Sequence, residues 1–441
     1  MNITKNRNLG TIWFFFFLIA REDLYILIST GKMWRRQQGK LQLHMSLLLH
    51  LLSFFIVISL EKCIVKVSGL NHTYRSVGSL RLARIQKHLD NINKLPLKTI
   101  KDIPPEMPKL RPNNDSYTKR AERNGSVVVY SAWQTWHGGG DGCPDGTIPI
   151  RRTTTHDVLR AKSLYDFGKK PRRSPALPHS LAPDAITTNG HEHAIAYIEA
   201  SDEIYGAKAT INVWDPSIEV VNEFSASQIW ILAGSFDDSD LNSVEAGWQV
   251  NPELYGDSKP RFFTYWTSDA YQKTGCYNLL CSGFVQTSNK IAIGAAISPV
   301  SSLSGSQYDI TILVWKDPKI GNWWLRFGDN TLVGYWPAEL FTRLSDHATL
   351  VEWGGEVVNS RPNGEHTRTQ MGSSRFAEDG FRQSSYFRDV ETVDSDNSLT
   401  SAEGISTLAD NNECYDIVDD SSDDWGTYFY YGGPGYNPQC L

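Results

Sequence analysis

The chain has 441 residues, enough for two or three domains with a sizeable hydrophobic core. Its formal net charge is −6 and its pI is about 6.0, and no basic face is evident, which argues against nucleic acid as a partner. The 14 Trp, 19 Tyr and 18 Phe residues favour antiparallel sheets, because aromatic side chains suit pleated, half-buried surfaces.

The N-terminal segment has the charge pattern of a signal peptide. A positively charged stretch, Trp34–Lys40, precedes the short apolar run Ser46–Leu60. Met33 and Met45 are both plausible starts, so we interpret residues 1–68 as a signal-like or over-extended N-terminus that the mature protein lacks. The alternative is a membrane anchor, but the run is short for a transmembrane helix.

Cysteines and sequons indicate an oxidising compartment. The six cysteines include no zinc-type pair of CxxC motifs, and Cys276 with Cys281 and Cys414 with Cys440 form two natural disulfide pairs. Acceptor sequons for N-glycosylation at Asn71, Asn114 and Asn124 fit the same compartment. We therefore expect a secreted protein, extracellular or in the cell wall, with the vacuole as an alternative.

Residues 72–182 are predicted to contain a few short elements. Apolar residues recur at helical spacing from residue 80 until Pro96 ends the helix. A charged, proline-rich linker follows, then a strand over 127–136 and a short helix over 156–165. The basic, proline-rich run 169–183 marks the best domain boundary.

From His191 onward the chain is predicted to consist of short strands separated by turns. The one strong helix expected there is Ala338–Ala348, and the acidic run Asp416–Asp424 is interpreted as a solvated loop. A dozen strands with one helix indicate a β-sandwich or barrel. The expected strands are 194–199, 207–214, 227–236, 244–250, 261–267, 282–287, 290–296, 308–315, 323–327, 332–335, 349–358 and 385–393.

Two of these strands combine apolar residues with glutamates next to glycines. In Asn242–Val250 the apolar side chains alternate with Glu245, and in Leu350–Asn359 they alternate with Glu352 and Glu356. An ionised carboxylate is costly to bury in such a strand unless it is compensated. Side by side, the strands would form a groove floored by carboxylates, which suits acid–base chemistry on an extended substrate. The alternative for each glutamate is a salt bridge or a backbone cap.

Other candidate motifs are weaker. His191 and His193 offer two metal ligands without an evident third, so a structural or exposed role is preferred. No GxSxG elbow for a serine nucleophile is present, and the glycine-rich runs lack the lysine of a phosphate-binding loop. The sequence therefore predicts no metal site and no cofactor.

Several long motifs resemble the plant neprosin family, over a span from His191 to Cys440. The motifs are Ser227–Trp230, Asn242–Val250, Thr264–Tyr271, Gly275–Cys281, Gly321–Leu325, Gly334–Pro337, Glu352–Val357 and Thr369–Ser373. The resemblance implies a truncated activation peptide over residues 72–182 and an antiparallel, lectin-like β-sandwich catalytic domain over residues 184–441. It also implies a secreted glutamic endopeptidase that is made as a zymogen and cuts after proline.

The resemblance places the first catalytic carboxylate at Glu245. The second is Glu356 or Glu352, and we favour Glu356 because it follows the Gly354–Gly355 pair. A bulge at the glycines would turn one of the two to the other face. Two carboxylates in one site share a proton, so one acts as base and the other as acid, without a metal, and activity should peak at acidic pH.

The expected partners are a proline-containing peptide or protein and the chain's own activation peptide, with no stable membrane association of the mature form. A rival enzyme class is a glycoside hydrolase, since paired glutamates on a β-sandwich also suit sugar hydrolysis. A third possibility is a non-catalytic module that binds carbohydrate or cell wall through its aromatic residues.

The chain departs from the family in its activation peptide. Members carry an Asp-Cys step between the helix and the proline-rich segment, whereas here Lys98–Ile100 runs directly into Lys101–Glu106. The missing cysteine is the plausible family partner of the one at Cys143, and Cys63 lies near the signal cleavage region. Cys143 is therefore predicted to be a free thiol.

Overall fold

The structure is a computed structural model that describes residues 78–93, 105–110, 129–136, 142–170, 190–328, 330–361 and 365–440. The signal-like N-terminus, Cys63 and the three sequons lie outside these residues. The chain divides into two compact units, Met1–Ala83 and Arg84–Leu441, and the fold and site below belong to the second. No helix among the described residues is long and apolar enough to cross a membrane.

Strands dominate the described residues, and the helices are short apart from the first. Residues 78–92 form helix α1. The other helices are α2 (Thr155–Arg160), α3 (Pro252–Tyr255) and the 3₁₀ turns Ala338–Leu340 and Ala377–Asp379. The strands are β1 (Lys109–Leu110), β2 (Val129–Ser131), β3 (Trp133–Gln134), β4 (His191–Ile204), β5 (Gly206–Asn212), β6 (Ser225–Ala233), β7 (Asn242–Val250), β8 (Arg261–Thr267), β9 (Val285–Gln286), β10 (Ile297–Ser298), β11 (Gln307–Lys316), β12 (Trp323–Phe327), β13 (Thr331–Trp336), β14 (Ala348–Val358), β15 (Ser385–Val393), β16 (Ser398–Ser401), β17 (Ser406–Ala409), β18 (Asp416–Ser422) and β19 (Gly426–Gly432).

Seventeen of these strands form two large sheets, and β3 and β10 pair with each other in a separate two-stranded sheet. The smaller of the two large sheets has the order β17-β4-β14-β6-β7-β8, and every pair in it is antiparallel. The larger has the order β1-β16-β15-β5-β11-β12-β13-β9, with β2, β18 and β19 attached beside this path. Its parallel pairs are β1 with β16 and β2 with β11, both made by strands from the N-terminal part of the chain.

The two sheets stack on one hydrophobic core. Trp248 of β7 and Trp353 of β14 enter it from the smaller sheet, while Trp323, Trp336 and Phe387 enter it from the larger one. All five side chains are fully buried. Because successive side chains in a strand point to opposite faces, burying these rings directs the polar residues of β7 and β14 to the outer face of the smaller sheet. The predicted all-β antiparallel sandwich is confirmed.

The N-terminal region packs as a small cluster of its own. Ile85 and Leu89 of α1 contact Val158 of α2 and Phe167. Thr154 and Asp157 form a capping box that fixes the start of α2. Phe167 of this cluster is followed three residues later by Lys170, which contacts the smaller sheet.

The helix predicted over 338–348 is wrong. The chain forms the 3₁₀ turn Ala338–Leu340 and then a series of turns. The backbone N–H groups of Thr342 and Arg343 donate to the Oδ1 of Asn242, at 2.8 and 2.7 Å, instead of to carbonyls one turn earlier. A buried amide from a distant strand thus competes successfully with the helix.

Other expectations for short elements need correction. The acidic run is not a solvated loop up to residue 422, because Asp416–Ser422 pairs along its whole length with β19. Its side chains are largely exposed, so the carboxylates face water while the backbone is paired. The strand expected over 290–296 is absent from the structure, which has turns there. Strands β16 to β19 were not predicted.

Both predicted disulfides are present, Cys276–Cys281 and Cys414–Cys440. Within the described residues Cys143 is a free, half-buried cysteine, as expected. His366 lies close to the Cys414–Cys440 sulfurs, but those sulfurs form a disulfide and are not the thiolates that bind metals.

Candidate active site

Two carboxylates meet on the outer face of the smaller sheet. Glu245 is 0 % exposed and Glu356 is 2 % exposed, so both are removed from bulk water. They lie on β7 and β14, which flank the central strand β6. Gln228 of β6 stands between them, and its Nε2 donates to Glu356 Oε2 at 2.7 Å.

Two glycines allow the strands to approach Gln228. Gly247 and Gly354 lie opposite Gln228 in the register of β6 with its two neighbours. A Cβ at Gly247 would lie 2.1 Å from the carbonyl oxygen of Ser227, and one at Gly354 would lie 2.3 Å from that of Ala194. The glycines beside the glutamates therefore make room for adjacent strands of the same sheet.

The glycine pair on β14 does not interrupt the ladder. The register of β14 with β6 is continuous from residue 350 to 357, so Glu352 and Glu356 share one face and the possible bulge is absent there. Glu352 is only half-buried and lies opposite Tyr197 and Trp230. In the ladder Glu352 is level with Glu245, with Trp230 of β6 between them, whereas Glu356 lies about 13 Å farther along β14, beyond the level of Gln228. Of the two glutamates on β14, Glu356 is the buried one.

Each carboxylate is held at its Oε1 atom. Ser243 Oγ and the hydroxyl of Tyr271 both donate to Glu245 Oε1, each at 2.7 Å. His191 Nδ1 contacts Glu356 Oε1 at 2.6 Å. These contacts direct the Oε2 atom of each carboxylate into the space between the two strands.

A lysine from the N-terminal region fills that space. Lys170 Nζ lies 2.6 Å from Glu245 Oε2 and 3.4 Å from Glu356 Oε2. The two Oε2 atoms are therefore separated by at most the sum of these distances, about 6 Å, which is within the range where charges perturb each other's titration. Burial lowers the pKa of Lys170, but the two carboxylates outweigh it and raise that pKa above 10.5, so the ammonium stays charged.

The segment before Lys170 is anchored on the same side of the sandwich. The N–H of Tyr277 donates to the carbonyl oxygen of Gly168 at 2.8 Å, and the N–H of Lys170 donates to the Tyr265 hydroxyl at 3.2 Å. Lys169 Nζ donates to the carbonyl oxygen of Lys273. A cleft of about 370 Å³ adjoins this segment, lined by Ala161, Lys162, Asp166, Phe167, Gly168, Lys169, Lys170, Asn222, Phe224, Asn251, Glu253, Leu254, Tyr277 and Val358.

The two carboxylates have different electrostatic surroundings. Burial raises the pKa of Glu356, but the charge of Lys170 and the hydrogen bond from His191 outweigh it and hold that pKa well below 4.5. His193 Nε2 lies 3.9 Å from Glu356 Oε1, and its Nδ1 donates to Asp410 Oδ2 at 2.8 Å. Apart from Lys170, the donors described around Glu245 are neutral hydroxyls.

The pKa values of the two histidines shift in opposite directions. Burial lowers the pKa of His191, and its Nδ1–H donates to Glu356. Burial also lowers the pKa of His193, but the hydrogen bond to Asp410 and the charge of Glu356 reverse the shift and raise that pKa above 6.5. A positive charge therefore lies beside Glu356 and favours its ionised form.

Sequence reasoning located both carboxylates but not their partners. Lys170 lay in a basic run interpreted only as a domain boundary. His191 and His193 were assigned a structural or exposed role, whereas the structure shows both rings buried at Glu356. Tyr271 and Gln228 lie inside two motifs quoted for the family resemblance, but the spacing gives no sign of their contacts.

Comparison with known families and structures gives two kinds of match. A model of the neprosin activation peptide matches residues 85–197, and a model of neprosin matches residues 221–434. The activation-peptide match therefore includes Lys170 and extends over His191 and His193 of β4, and both carboxylates lie within the neprosin match.

Among solved structures the chain is similar to glutamic peptidases. Scytalido-glutamic peptidase with a peptide-based transition-state analog is 12% identical, with 56% of this chain and 98% of that chain covered and a TM-score of 0.31. The same peptidase with a transition-state analog inhibitor is 13% identical, with 55% and 98% covered and a TM-score of 0.30. SCP-B, of the eqolisin family of peptidases, in complex with the tripeptide Ala-Ile-His, is 11% identical, with 55% and 98% covered and a TM-score of 0.28.

Proposed function

Because the chain belongs to the neprosin family, with an activation peptide ahead of the neprosin domain, we propose that it is a glutamic endopeptidase made as a zymogen. The observation that carries the proposal is the buried pair Glu245 and Glu356, whose Oε2 atoms face each other across Lys170 of the activation peptide. A buried carboxylate pair on a sheet face is suited to hydrolysis without a covalent intermediate.

The surroundings of the two carboxylates assign their roles. Glu356 is the base, because His191 donates to it and the charged His193 lies beside it. Glu245 is the acid, because its remaining partners after departure of Lys170 are the hydroxyls of Ser243 and Tyr271. Like charges in one site do not both ionise readily, so the shared proton rests on Glu245.

Peptide hydrolysis then proceeds in two steps. Glu356 takes a proton from water as the water oxygen attacks the scissile carbonyl carbon, while the protonated Glu245 polarises the carbonyl oxygen. In the second step the C–N bond breaks as Glu245 gives its proton to the leaving nitrogen, and the proton that Glu356 took from water then passes to Glu245. The amine and the acid leave, and the dyad returns to one proton.

Latency follows from the position of Lys170. Its ammonium lies where the water and the scissile bond must bind, and it pairs with both carboxylates in their ionised forms. The docked segment therefore fills the space between the two carboxylates and also removes the proton that Glu245 needs as acid. Loss of the activation peptide restores both.

We extend the proposal to substrate and location on the basis of family membership. The substrate is a peptide or protein cut after proline. The glutamate pair works at acidic pH, because catalysis requires one carboxylate to be ionised and the other to be protonated. The enzyme is secreted, in keeping with the two disulfides.

Conservative variants of the glutamates test the function. Glu245→Gln and Glu356→Gln should each abolish cleavage of a peptide library across acidic pH while the melting temperature stays close to that of the parent. Glu352→Gln should keep most of the activity, because Trp230 lies between Glu352 and Glu245 in the sheet register and Lys170 bridges Glu245 to Glu356. Full activity of either of the first two variants refutes the mechanism, and hydrolysis of a polysaccharide but not of peptides would favour the glycoside hydrolase.

A further inference from the structure

An unusual turn precedes the Cys276–Cys281 disulfide. Ala270 has φ +51° and Tyr271 has φ +62°, so two consecutive non-glycine residues occupy the left-handed region. Such residues are strained and persist only when their surroundings impose the conformation. Strain of this kind often marks a functional position, and here the turn presents the side chain of Tyr271.

The turn is imposed by a dense set of hydrogen bonds. The carboxylate of Asp269 accepts from the backbone N–H groups of Gln272, Lys273 and Thr274. The N–H of Ala270 donates to the carbonyl oxygen of Leu241 at 3.0 Å. The side chain that follows is therefore held in one place by the loop itself.

That side chain reaches the proposed acid. The Tyr271 hydroxyl donates to Glu245 Oε1 at 2.7 Å, and Ser243 Oγ donates to the same oxygen at 2.7 Å. The phenol ring packs between Phe236 and Tyr265, with ring centroids 6.1 and 5.8 Å away. The ring is thus clamped while its hydroxyl points at the carboxylate.

We propose that Tyr271 is a positioning residue that fixes which oxygen of Glu245 carries the catalytic proton. A carboxyl oxygen has two acceptor positions, and at Oε1 both are taken by the hydroxyls of Tyr271 and Ser243. The proton of the neutral acid must then sit on Oε2, the oxygen that Lys170 contacts in the zymogen. This proposal rests on the proposed peptidase function.

The position of this proton decides where Glu245 directs its O–H group during the reaction. With the proton on Oε2, Glu245 presents its O–H to the substrate carbonyl without rotating its carboxyl group. Without Tyr271, Oε1 has a free acceptor position, so the proton can move to the wrong oxygen or the group can turn. Substrate binding does not use this proton, so the loss should appear in kcat and not in KM.

Tyr271→Phe tests the proposal because it keeps the clamped ring and removes only the hydroxyl. In the processed enzyme made from the full chain, kcat for a peptide substrate should fall about 10- to 100-fold with KM within about twofold, the size expected for a buried hydrogen bond to an ionisable group. Ser243→Ala removes the other donor without touching the strained loop and should lower kcat in the same way. If Oε1 is the shared target, the double variant should lose less than the product of the two single losses.

Tyr205→Phe is the matched control, since the Tyr205 hydroxyl also donates to a carboxylate, Glu203, at 2.6 Å, but on an exposed surface outside the site. It should leave kcat unchanged. A parental kcat in both Tyr271→Phe and Ser243→Ala would overturn the proposal, and so would a rise in KM alone. Parental activity in Glu245→Gln would instead overturn the peptidase mechanism itself, so the two failures are distinguishable.

Discussion

Replacing Lys170 with methionine should make the zymogen active without proteolytic removal of the activation peptide. The substitution keeps an unbranched side chain of similar length and removes the ammonium that lies 2.6 Å from Glu245 Oε2 and 3.4 Å from Glu356 Oε2. The chain on either side of the ammonium is unaltered, including the bond from the N–H of Tyr277 to the carbonyl oxygen of Gly168.

The size of the effect follows from the burial of all three groups. Removing one partner of a buried ion pair typically costs about 3–5 kcal/mol, because a buried charge is left uncompensated. Here one carboxylate can take up a proton and relieve part of the repulsion, so the lower end, about 3 kcal/mol, applies near neutral pH. At about 1.4 kcal/mol per factor of ten, the undocked fraction should rise roughly 100-fold.

The assay is cleavage of an internally quenched peptide by the intact zymogen at near-neutral pH, with the chain checked by mass spectrometry for processing. Hydrogen exchange at the Tyr277 amide reports docking independently, since that amide donates to Gly168. Both signals should increase in Lys170→Met.

Lys169→Met is the control. Lys169 is the neighbouring lysine, it is half-buried, and its Nζ donates to the carbonyl oxygen of Lys273 instead of to a carboxylate. A solvent-accessible cation typically contributes about 0.2–1 kcal/mol, so the effect should stay below about fivefold. Equal effects of the two variants, or none in Lys170→Met, would refute the role given to the buried ammonium.

Three further predictions test neighbouring features. Asp410→Asn should weaken the charge on His193 and so raise the pKa of Glu356, moving the acid limb of kcat/KM to higher pH by roughly half a unit to one unit; an unchanged limb would contradict the role of His193. Gly247→Ala should lower the melting temperature markedly, because its Cβ would lie 2.1 Å from a carbonyl oxygen and overpacking costs about 1–3 kcal/mol; a parental melting curve would count against it. Thiol labelling of the non-reduced protein should modify Cys143, whereas protection together with a Cys63–Cys143 peptide would show that the two are paired.

The strand pattern was predictable where burial on one face controls the sequence. In β7 the apolar residues Val244, Ala246 and Trp248 alternate with Glu245, and the structure places those three in the core. The period of two identifies both the strand and the face of the carboxylate. The same argument on β14 places Glu356 on the outer face, in agreement with the continuous register of that strand with β6.

Features set by distant contacts were not predictable. The sequence of 338–348 has helical periodicity, yet Asn242, about a hundred residues earlier, takes the N–H groups that a helix would use. The contact of Lys170 with both carboxylates likewise depends on how the activation peptide lies across the sheet. Local patterns carry no information on such pairings, because each joins elements that are far apart in the chain.

Docking of Lys170 and catalysis by the glutamate pair both depend on the protonation of the carboxylates, so both depend on pH. In the docked zymogen the pKa of Glu356 is depressed below 4.5, so its ionised form stabilises docking above that pH. Burial opposes this depression and the charge of Lys170 supplies part of it, so the stabilisation that Lys170 gives to docking is lost as pH falls below 4.5 toward the depressed value. The freed pair also needs one proton to act, because like charges in one site do not both ionise readily. Acidification therefore weakens the ion pairs of Lys170 with the carboxylates and also supplies the proton that the active dyad needs.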